Sequence, residues 1–418
     1  MFQTLRNAWK IPDLRKKILF TVMMIFVFRL GTFIPVPGLE RTALQSLMGN
    51  GDTLFGLFDA FSGGAFSNAT IFAMGITPYI NSSIILQLLT VAIPALERIA
   101  KDGEEGKKAI AKWTRFLTVI LAFIQATGLY FALRGAMSNP GLGAYITITV
   151  SFTAGTAFLM WLGELITEKG IGNGISMIIF AGIVASIPNM ASDLANGYKV
   201  GQFGIVAIVA IVAILLAMVI FVVFINDAER RLPVQYAKRM VGRKMYGGQS
   251  SHIPIKVSLA GVIPIIFAMS IMSFPATIAG FFGKDTSAGW LSLFTPNSWF
   301  YITLYFLLII FFTYFYTAIQ FNPIEIANNM KNNGGFIPGI RPGRPTSEYI
   351  SRILTRITLT GALFLGVIAI IPLVLGKLMN FNLTIGGTSM LIMVGVALET
   401  VKQLEAQMLM RHYKGFLD

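Results

Sequence analysis

The sequence predicts an all-α polytopic membrane protein. Of its 418 residues, 55% are hydrophobic and only 12% are charged, and the mean hydropathy is +0.71. Apolar runs of about 20 residues, the length that an α-helix needs to cross a bilayer, recur along the whole chain. Composition therefore indicates the class before any motif is considered.

Ten apolar stretches are long enough to be spans. They occupy residues 18–35, 70–94, 114–133, 145–166, 174–187, 203–225, 258–279, 299–321, 357–375 and 383–401. The first follows a basic segment and imitates a signal peptide, but no small-residue cleavage site follows it, so we interpret it as a retained span.

The ten predicted spans divide into two halves of five spans each, residues 1–200 and 201–418. Because five is odd, related halves must be inverted in the membrane, although no residue-level repeat is visible.

The positive charges predict the orientation of these spans. With the N-terminus inside, 27 of the 33 lysines and arginines lie in inside segments. The six others, outside or embedded, are Arg29, Arg41, Arg134, Lys199, Lys284 and Lys377. This asymmetry predicts that both termini are cytoplasmic. It also explains the net charge of +14 better than nucleic-acid binding does, because the basic residues form no single patch.

The stretch 55–89 contains an apolar segment too short and too glycine-rich to cross a bilayer. Gly63 and Gly64 interrupt it, so residues 57–66 are interpreted as a short re-entrant half-helix followed by a second helix from residue 70. That helix carries the polar patch 81–83 near its middle, which is costly if it faces lipid. Two interpretations stay open: the patch faces a cavity, or it hydrogen-bonds a neighbouring helix as packing.

The sequence offers no catalytic or cofactor motif. It contains no cysteine, P-loop, HExxH motif, serine elbow or paired intramembrane carboxylates, and His252 and His412 are interpreted as solvated loop residues. We therefore expect neither enzymatic activity nor a metal or cofactor. The helix centres instead carry isoleucines, which taken alone are typical of lipid-facing or packing residues. They are Ile76, Ile80, Ile175, Ile179, Ile266 and Ile392.

Two predicted inside connections, 226–257 and 322–356, are much longer than the others. The first is basic with interleaved tyrosines, and the second ends in a tip that proline and glycine stiffen. Topology alone explains the charge of both segments, but it does not explain their length or the rigidity of the tip. We therefore predict that they dock a large cytoplasmic partner. The candidate docking residues are Lys238, Arg239, Arg243, Arg341 and Arg344.

Several long motifs resemble those of the bacterial SecY family, the channel subunits of the Sec protein translocon. They are GITPYINSSIILQLL, FLMWLGELITEKGIGNGIS, GVIPIIFA, SFPATIA, FNPIEIANNMKNNGGFIPGIRPG and GGTSMLIMV. The resemblance covers nearly the whole chain, and it is weakest in the outer loops at 135–144 and 283–297. It implies two inverted five-helix halves around a central pore, which aliphatic side chains close at the waist and a short plug helix closes on the outer side.

The resemblance also assigns candidate site residues. It places the six isoleucines in the pore ring and the plug at 58–68. Its plug residues are Phe58, Phe61, Gly63, Gly64 and Phe66, and its lateral-gate residues between spans 2 and 7 are Asn81, Gln87 and Phe274. Asn81 replaces the smaller serine that is common in the family.

The function implied is a protein-conducting channel in the bacterial cytoplasmic membrane. Such a channel moves unfolded secretory polypeptides across the membrane and releases hydrophobic segments, including signal peptides, sideways into the lipid bilayer. The implied partners are the membrane subunits SecE and SecG, the SecA motor ATPase and the ribosome. The alternative is an inverted-repeat secondary transporter of a small solute, which needs a polar midplane site and usually an ion-coupling carboxylate.

Overall fold

The structure is a computed structural model. It describes residues 2–42, 44, 59, 62–134, 137, 140–201, 204–236, 239–241, 244–246, 250–281, 293–295, 298–379 and 387–414. Within this part of the chain the helices are α1 (Phe2–Lys10), α2 (Pro12–Gly31), α3 (Thr77–Ala92), α4 (Pro94–Lys101), α5 (Gly103–Ala132), α6 (Leu142–Lys169), α7 (Gly174–Lys199), α8 (Ile205–Asp227), α9 (Ile263–Phe281), α10 (Trp299–Gln320), α11 (Pro323–Asn332), α12 (Arg344–Met379) and α13 (Gly387–Lys414).

A helix overlaps each of the ten predicted spans. Six helical segments in the described ranges are long and apolar enough to cross a membrane, those of α5, α6, α7, α8, α10 and α12. The pair α3 and α4 also qualifies, bent by 105° at Ile93. The predicted α-helical membrane fold is confirmed, whereas the count of ten spans stays a prediction because α2, α9 and α13 do not meet the same criterion.

The second helix begins at Thr77, seven residues later than predicted. Residues 63–76 form turns, so the predicted helix start at residue 70 is wrong. Of the predicted half-helix 57–66, Asp59 and Ser62 are helical, residues 63–66 lie in the turns, and the others lie outside the described residues. The cause is local, since Gly63, Gly64 and Gly75 have φ values of +66°, +85° and +55°, which a right-handed helix cannot contain. Pro78 in the first turn of α3 then favours a helix start at that point.

These turns are fixed by a short antiparallel bridge to the chain after α2. The Val36 amide donates to the Ala69 carbonyl at 2.8 Å, and the Ile71 amide donates to the Ile34 carbonyl at 3.1 Å. Phe72 continues the contact as its ring stacks between those of Phe28 and Phe158. The turns are therefore held between α2 and α6.

The two long connections contain strands that the sequence did not reveal. β1 (Glu229–Tyr236) pairs antiparallel with β4 (Ser250–Lys256) and with β5 (Gly335–Phe336), while β2 (Arg239–Val241) pairs with β3 (Lys244–Tyr246). Leu232 and Val234 of β1 face a small core that includes Met330 and Ile350. The two predicted docking segments are thus joined by one sheet and one core.

Three larger apolar clusters organise the helices. The N-terminal cluster joins α5 and α6 to the turns around residues 66–74. The C-terminal cluster joins α8, α9, α10, α12 and α13, with Leu194 of α7. The central cluster lies between them and draws on α2, α6, α7 and α13, so it contains residues from both predicted halves.

Candidate functional site

The structure brings all six predicted ring isoleucines into the central cluster. Ile76, Ile179 and Ile392 are buried in it, and Ile80, Ile175 and Ile266 pack against it half-buried. These residues come from α3 and the residue before it, α7, α9 and α13. Side chains that lie up to 316 positions apart in the sequence, from 76 to 392, therefore share one apolar contact region.

Local sequence explains how two of these helices present their isoleucines. Ile76 and Ile80 are four residues apart at the start of α3, as are Ile175 and Ile179 in α7, so each pair lies on one helix face. The Asn173 side chain caps α7 by accepting a hydrogen bond from the Ser176 amide at 3.2 Å. This cap fixes where α7 begins and hence which way its isoleucines point.

Glycines of α6 and α7 bring these two helices together. A Cβ atom on Gly174 would lie 1.9 Å from the Gly163 carbonyl oxygen, and one on Gly163 would lie 2.7 Å from Cδ1 of Ile175. The motif GELITEKGIGNGIS therefore supplies both the tight turn between the helices and the space that Ile175 fills. Only glycine permits this approach of the two backbones.

The central cluster offers no chemistry beyond its apolar surface. Its members are aliphatic and aromatic residues, methionine and alanine. Across the described ranges, no group of three or more histidine, cysteine, aspartate or glutamate residues could hold a metal ion. Such a lining coordinates no ion and can exclude water when it is closed. The isoleucines can therefore form an apolar barrier that binds no ion.

The described part of the predicted plug segment reaches both the central and the N-terminal cluster. Ala65 is buried in the central cluster and Phe66 is buried in the N-terminal cluster. The 62–68 turn that contains them is closed by Asp59, whose carboxylate accepts from the Ser67 amide at 2.8 Å and whose carbonyl accepts from the Gly64 amide at 3.0 Å. Phe58 and Phe61 lie outside the described residues.

Sequence reasoning gave no role to Arg29, which contacts this turn. Nη1 of Arg29 donates a hydrogen bond to the Gly63 carbonyl oxygen at 3.0 Å. The position of a charged residue inside an apolar span is the signal that could have identified it. The acceptor could not have been deduced, because it lies 34 residues further along the chain.

The predicted gate residues lie on α3 and α9. Asn81 and Gln87 of α3 are half-buried, and Oδ1 of Asn81 is buried with no hydrogen-bond partner among the described residues. Ile84 and Leu88 of the same helix pack against the C-terminal cluster, while the Ser82 hydroxyl donates to the Thr114 carbonyl of α5 at 2.9 Å. The backbone of Phe274 lies in α9, and its side chain lies outside the described residues.

The structure describes only some of the predicted docking residues. Arg341 and Arg344 are exposed at the tip before α12, where the Thr346 hydroxyl donates to the Arg341 carbonyl at 2.8 Å. Arg344 forms an exposed ion pair with Glu348 at 3.1 Å. Arg239 begins β2, but its side chain is not described, and Lys238 and Arg243 lie outside the described residues.

Comparisons with known proteins support the interpretation of the motifs. The SecY family model matches residues 70–401. The protein translocase subunit SecY of Halalkalibacterium halodurans is 49% identical over the full length of both chains. The corresponding protein of Thermotoga maritima is 45% identical, covering 100% of this chain and 98% of its own. Neither name is that of a solute transporter or an enzyme.

Solved structures share the fold at much lower sequence identity. A structure described as a protein conducting channel matches with a TM-score of 0.68 and 19% identity, covering 94% of this chain and 92% of its own. Sec61 in a canine ribosome-channel complex matches with a TM-score of 0.63 and 17% identity, covering 94% and 92% respectively. The fold, the family model and the full-length relatives agree, and the chain belongs to the SecY family.

Proposed function

We propose that this protein is the channel subunit of a protein translocase, moves unfolded secretory polypeptides across a membrane and releases hydrophobic segments sideways into lipid. One observation carries the proposal: six isoleucines from the start of α3 and from α7, α9 and α13 share the central cluster with Ala65 of the 62–68 turn. The full-length relatives named protein translocase subunit support it. A solute transporter would need a polar midplane site, whereas the six residues assigned to the ring are all isoleucines.

In this proposal the six isoleucines form the pore ring and the plug residues cover it. Aliphatic side chains bind no ion and dewet a narrow constriction, so they block ions while the channel rests. They also make no sequence-specific contacts, so they can move aside around any polypeptide. A passage for chains of any sequence needs this lack of selectivity, whereas a binding site would retain particular segments.

Replacing Ile80 and Ile179 with glycine tests the ring. The double variant should leak ions at rest, more than either single variant does, because surviving side chains can collapse into one gap but not into two. Deleting residues 58–68 alone should give intermittent leaks, and adding the deletion to the glycine pair should give the largest current. Planar-bilayer conductance of the purified channel is the measurement. A double-glycine channel that conducts no more than the parent would show that Ile80 and Ile179 do not line the pore.

The lateral gate is assigned to the contact of α3 with the C-terminal half. Asn81 and Gln87 on α3 and Phe274 on α9 are its proposed residues. The packing of Ile84 and Leu88 of α3 against the C-terminal cluster supports this, because separating these elements would open a path from the central cluster toward lipid. The two halves, 1–200 and 201–418, would then move apart when the gate opens.

The proposed location is the bacterial cytoplasmic membrane with both termini in the cytoplasm. The distribution of lysine and arginine supports this orientation. The proposed partners are SecE and SecG in the membrane, and the SecA motor and the ribosome on the cytoplasmic side. A structural neighbour solved within a ribosome-channel complex supports ribosome binding.

The docking proposal rests on basic residues of the two long connections, Lys238, Arg239, Arg243, Arg341 and Arg344, of which Arg341 and Arg344 are described and exposed. Changing Arg341 to glutamate should abolish motor-driven export while subunit assembly stays intact, because the side chain is exposed beside a firmly hydrogen-bonded tip. Lys331→Glu, an equal charge change at another exposed position of the same connection, is the control. Export should be assayed with reconstituted vesicles. If the Arg341 variant exports as well as the parent protein, the charge of Arg341 contributes only to membrane orientation.

A further inference from the structure

Arg29 is a charged residue in helix α2, which covers the first predicted span, and it is half-buried. A charge at membrane depth is costly unless it finds polar partners or reaches the interface. Here the guanidinium lies 5.7 Å from the centre of the Phe33 ring and donates from Nη1 to the Gly63 carbonyl oxygen at 3.0 Å. A hydrogen bond with a charged donor is roughly twice as strong as one between neutral groups.

The acceptor of this bond is tightly enclosed. Gly63 has φ +66°, and a Cβ atom at this position would lie 2.8 Å from the Gly182 Cα atom of α7 and 3.3 Å from Nη1 of Arg29. The turn is therefore held on one side by the α7 backbone and on the other by the Arg29 side chain. Two residues after Gly63, Ala65 is fully buried in the central cluster.

We propose that Arg29 is a positioning residue for the seal, which holds the 62–68 turn over the central cluster while the channel is closed. The proposal rests on the proposed function. A guanidinium suits this role because it stays charged at any physiological pH and reaches past the α2 backbone on a long side chain. When a polypeptide displaces the turn, Arg29 loses its acceptor, so the bond favours the closed arrangement only.

The competing explanation is that Arg29 reaches the outer interface and contacts the turn incidentally. The two explanations predict different effects when Arg29 is replaced by a neutral residue: only the positioning role predicts that the seal weakens. Arg29→Met keeps a long unbranched side chain and removes a charge from a membrane helix, so the variant should assemble. Arg29→Gln, which is too short to span the same distance, provides a second neutral variant. Arg29→Lys keeps the positive charge but lacks the planar guanidinium group.

The first measurement is the resting conductance of purified channels in planar bilayers. Arg29→Met and Arg29→Gln should open intermittently, with the open fraction raised roughly tenfold, the factor expected for the loss of one charge-assisted hydrogen bond. Arg29→Lys should lie between these variants and the parent. Arg41→Gln, which removes an exposed positive charge on the same predicted side, should stay closed.

A second measurement follows the turn itself. The chain lacks cysteine, and Ser62 is buried, so a Ser62→Cys reporter should react slowly with a membrane-impermeant maleimide. Adding Arg29→Met should accelerate labelling from the outer side roughly tenfold, in line with the open fraction. A purely structural role for Arg29 would lower the thermal midpoint without changing either readout.

The Ile80 and Ile179 double-glycine channel separates the two proposals. If it conducts while both neutral Arg29 variants stay tight and the Ser62→Cys reporter stays protected, the role of Arg29 is wrong and the proposed channel function stands. If neither the double-glycine channel nor the Arg29 variants conduct, the proposed function fails. If the double-glycine channel and the neutral Arg29 variants conduct while Arg41→Gln stays closed, both the proposed function and the role of Arg29 are supported.

Discussion

At the scale of single residues, Asn81 places an amide, which is larger than the serine common in the family, at the proposed gate. The structure leaves Oδ1 of Asn81 buried with no hydrogen-bond partner among the described residues. A buried acceptor without a partner costs about 1–3 kcal/mol, so an arrangement that buries this oxygen unpaired is destabilised by that amount. We expect that opening of the proposed gate toward water or a polar segment removes this cost.

Asn81→Ser should therefore make the gate harder to open. A serine hydroxyl in a helix can donate to the carbonyl four residues earlier, so no buried acceptor is left over. Export of a reporter with a weakly hydrophobic signal peptide should fall roughly fivefold or more. Export with a strongly hydrophobic signal should change little, which controls for assembly. Equal or faster export of the weak signal would show that Asn81 does not oppose closure.

At the scale of elements, the approach of α6 to α7 determines where Ile175 and Ile179 lie. Gly163 and Gly174 leave so little space that a single Cβ atom on Gly174 would overlap the Gly163 carbonyl. The turn between the helices is also tied to α2, since the Ile171 amide donates to the Thr21 hydroxyl at 3.0 Å. The isoleucines of α7 are thus positioned from both α6 and α2.

Gly174→Ala should destabilise the protein by about 1–3 kcal/mol, because the backbones must separate to admit the methyl group. The thermal midpoint of the purified protein in detergent should fall accordingly. Gly143→Ala is the matched control in α6, since a Cβ atom there meets nothing within 4 Å. That change should leave the midpoint unchanged or raise it slightly, because alanine favours a helix over glycine by up to about 1 kcal/mol. Equal midpoints for the two variants would contradict the proposed close packing.

At the scale of the whole molecule, two of the contacts between the halves bear on the proposed pore and gate. α7 packs on α13 around the central cluster, and α5 packs on α9 beside the proposed gate. The first contact contains the isoleucines, and the second continues toward α3 through Ser82 and Thr114. A separation of the halves near α9 can therefore open the gate while the contact of α7 with α13 persists.

Orientation is tested by cysteine labelling in intact cells, since the parent chain has no cysteine. Val200→Cys, at a position that is 83% exposed after α7, should react with an impermeant maleimide added outside. Ser251→Cys, exposed in β4, should react only after the membrane is opened. Labelling of the Ser251→Cys variant from outside would reverse the predicted topology.

The sequence by itself determined the class, the approximate spans and the family. Hydropathy and motifs are local properties, and the lipid core imposes length and apolarity on each span separately. The same local reasoning misplaced the start of α3, because three glycines with positive φ replaced helix by turns. It also missed β1, in which only Leu232 and Val234 are buried, its partner β4, and β5, since a two-residue strand has no pattern of its own.

Only the tertiary structure decided which distant residues meet. Ile76 and Ile392 share one cluster, Arg29 donates a hydrogen bond to Gly63, and the Asn81 oxygen has no partner among the described residues. Family resemblance could nominate the isoleucines and Asn81, but it gave Arg29 no acceptor and did not predict the surroundings of the Asn81 oxygen. The physical reason is that such contacts depend on how all the helices pack at once, which no single stretch of sequence specifies.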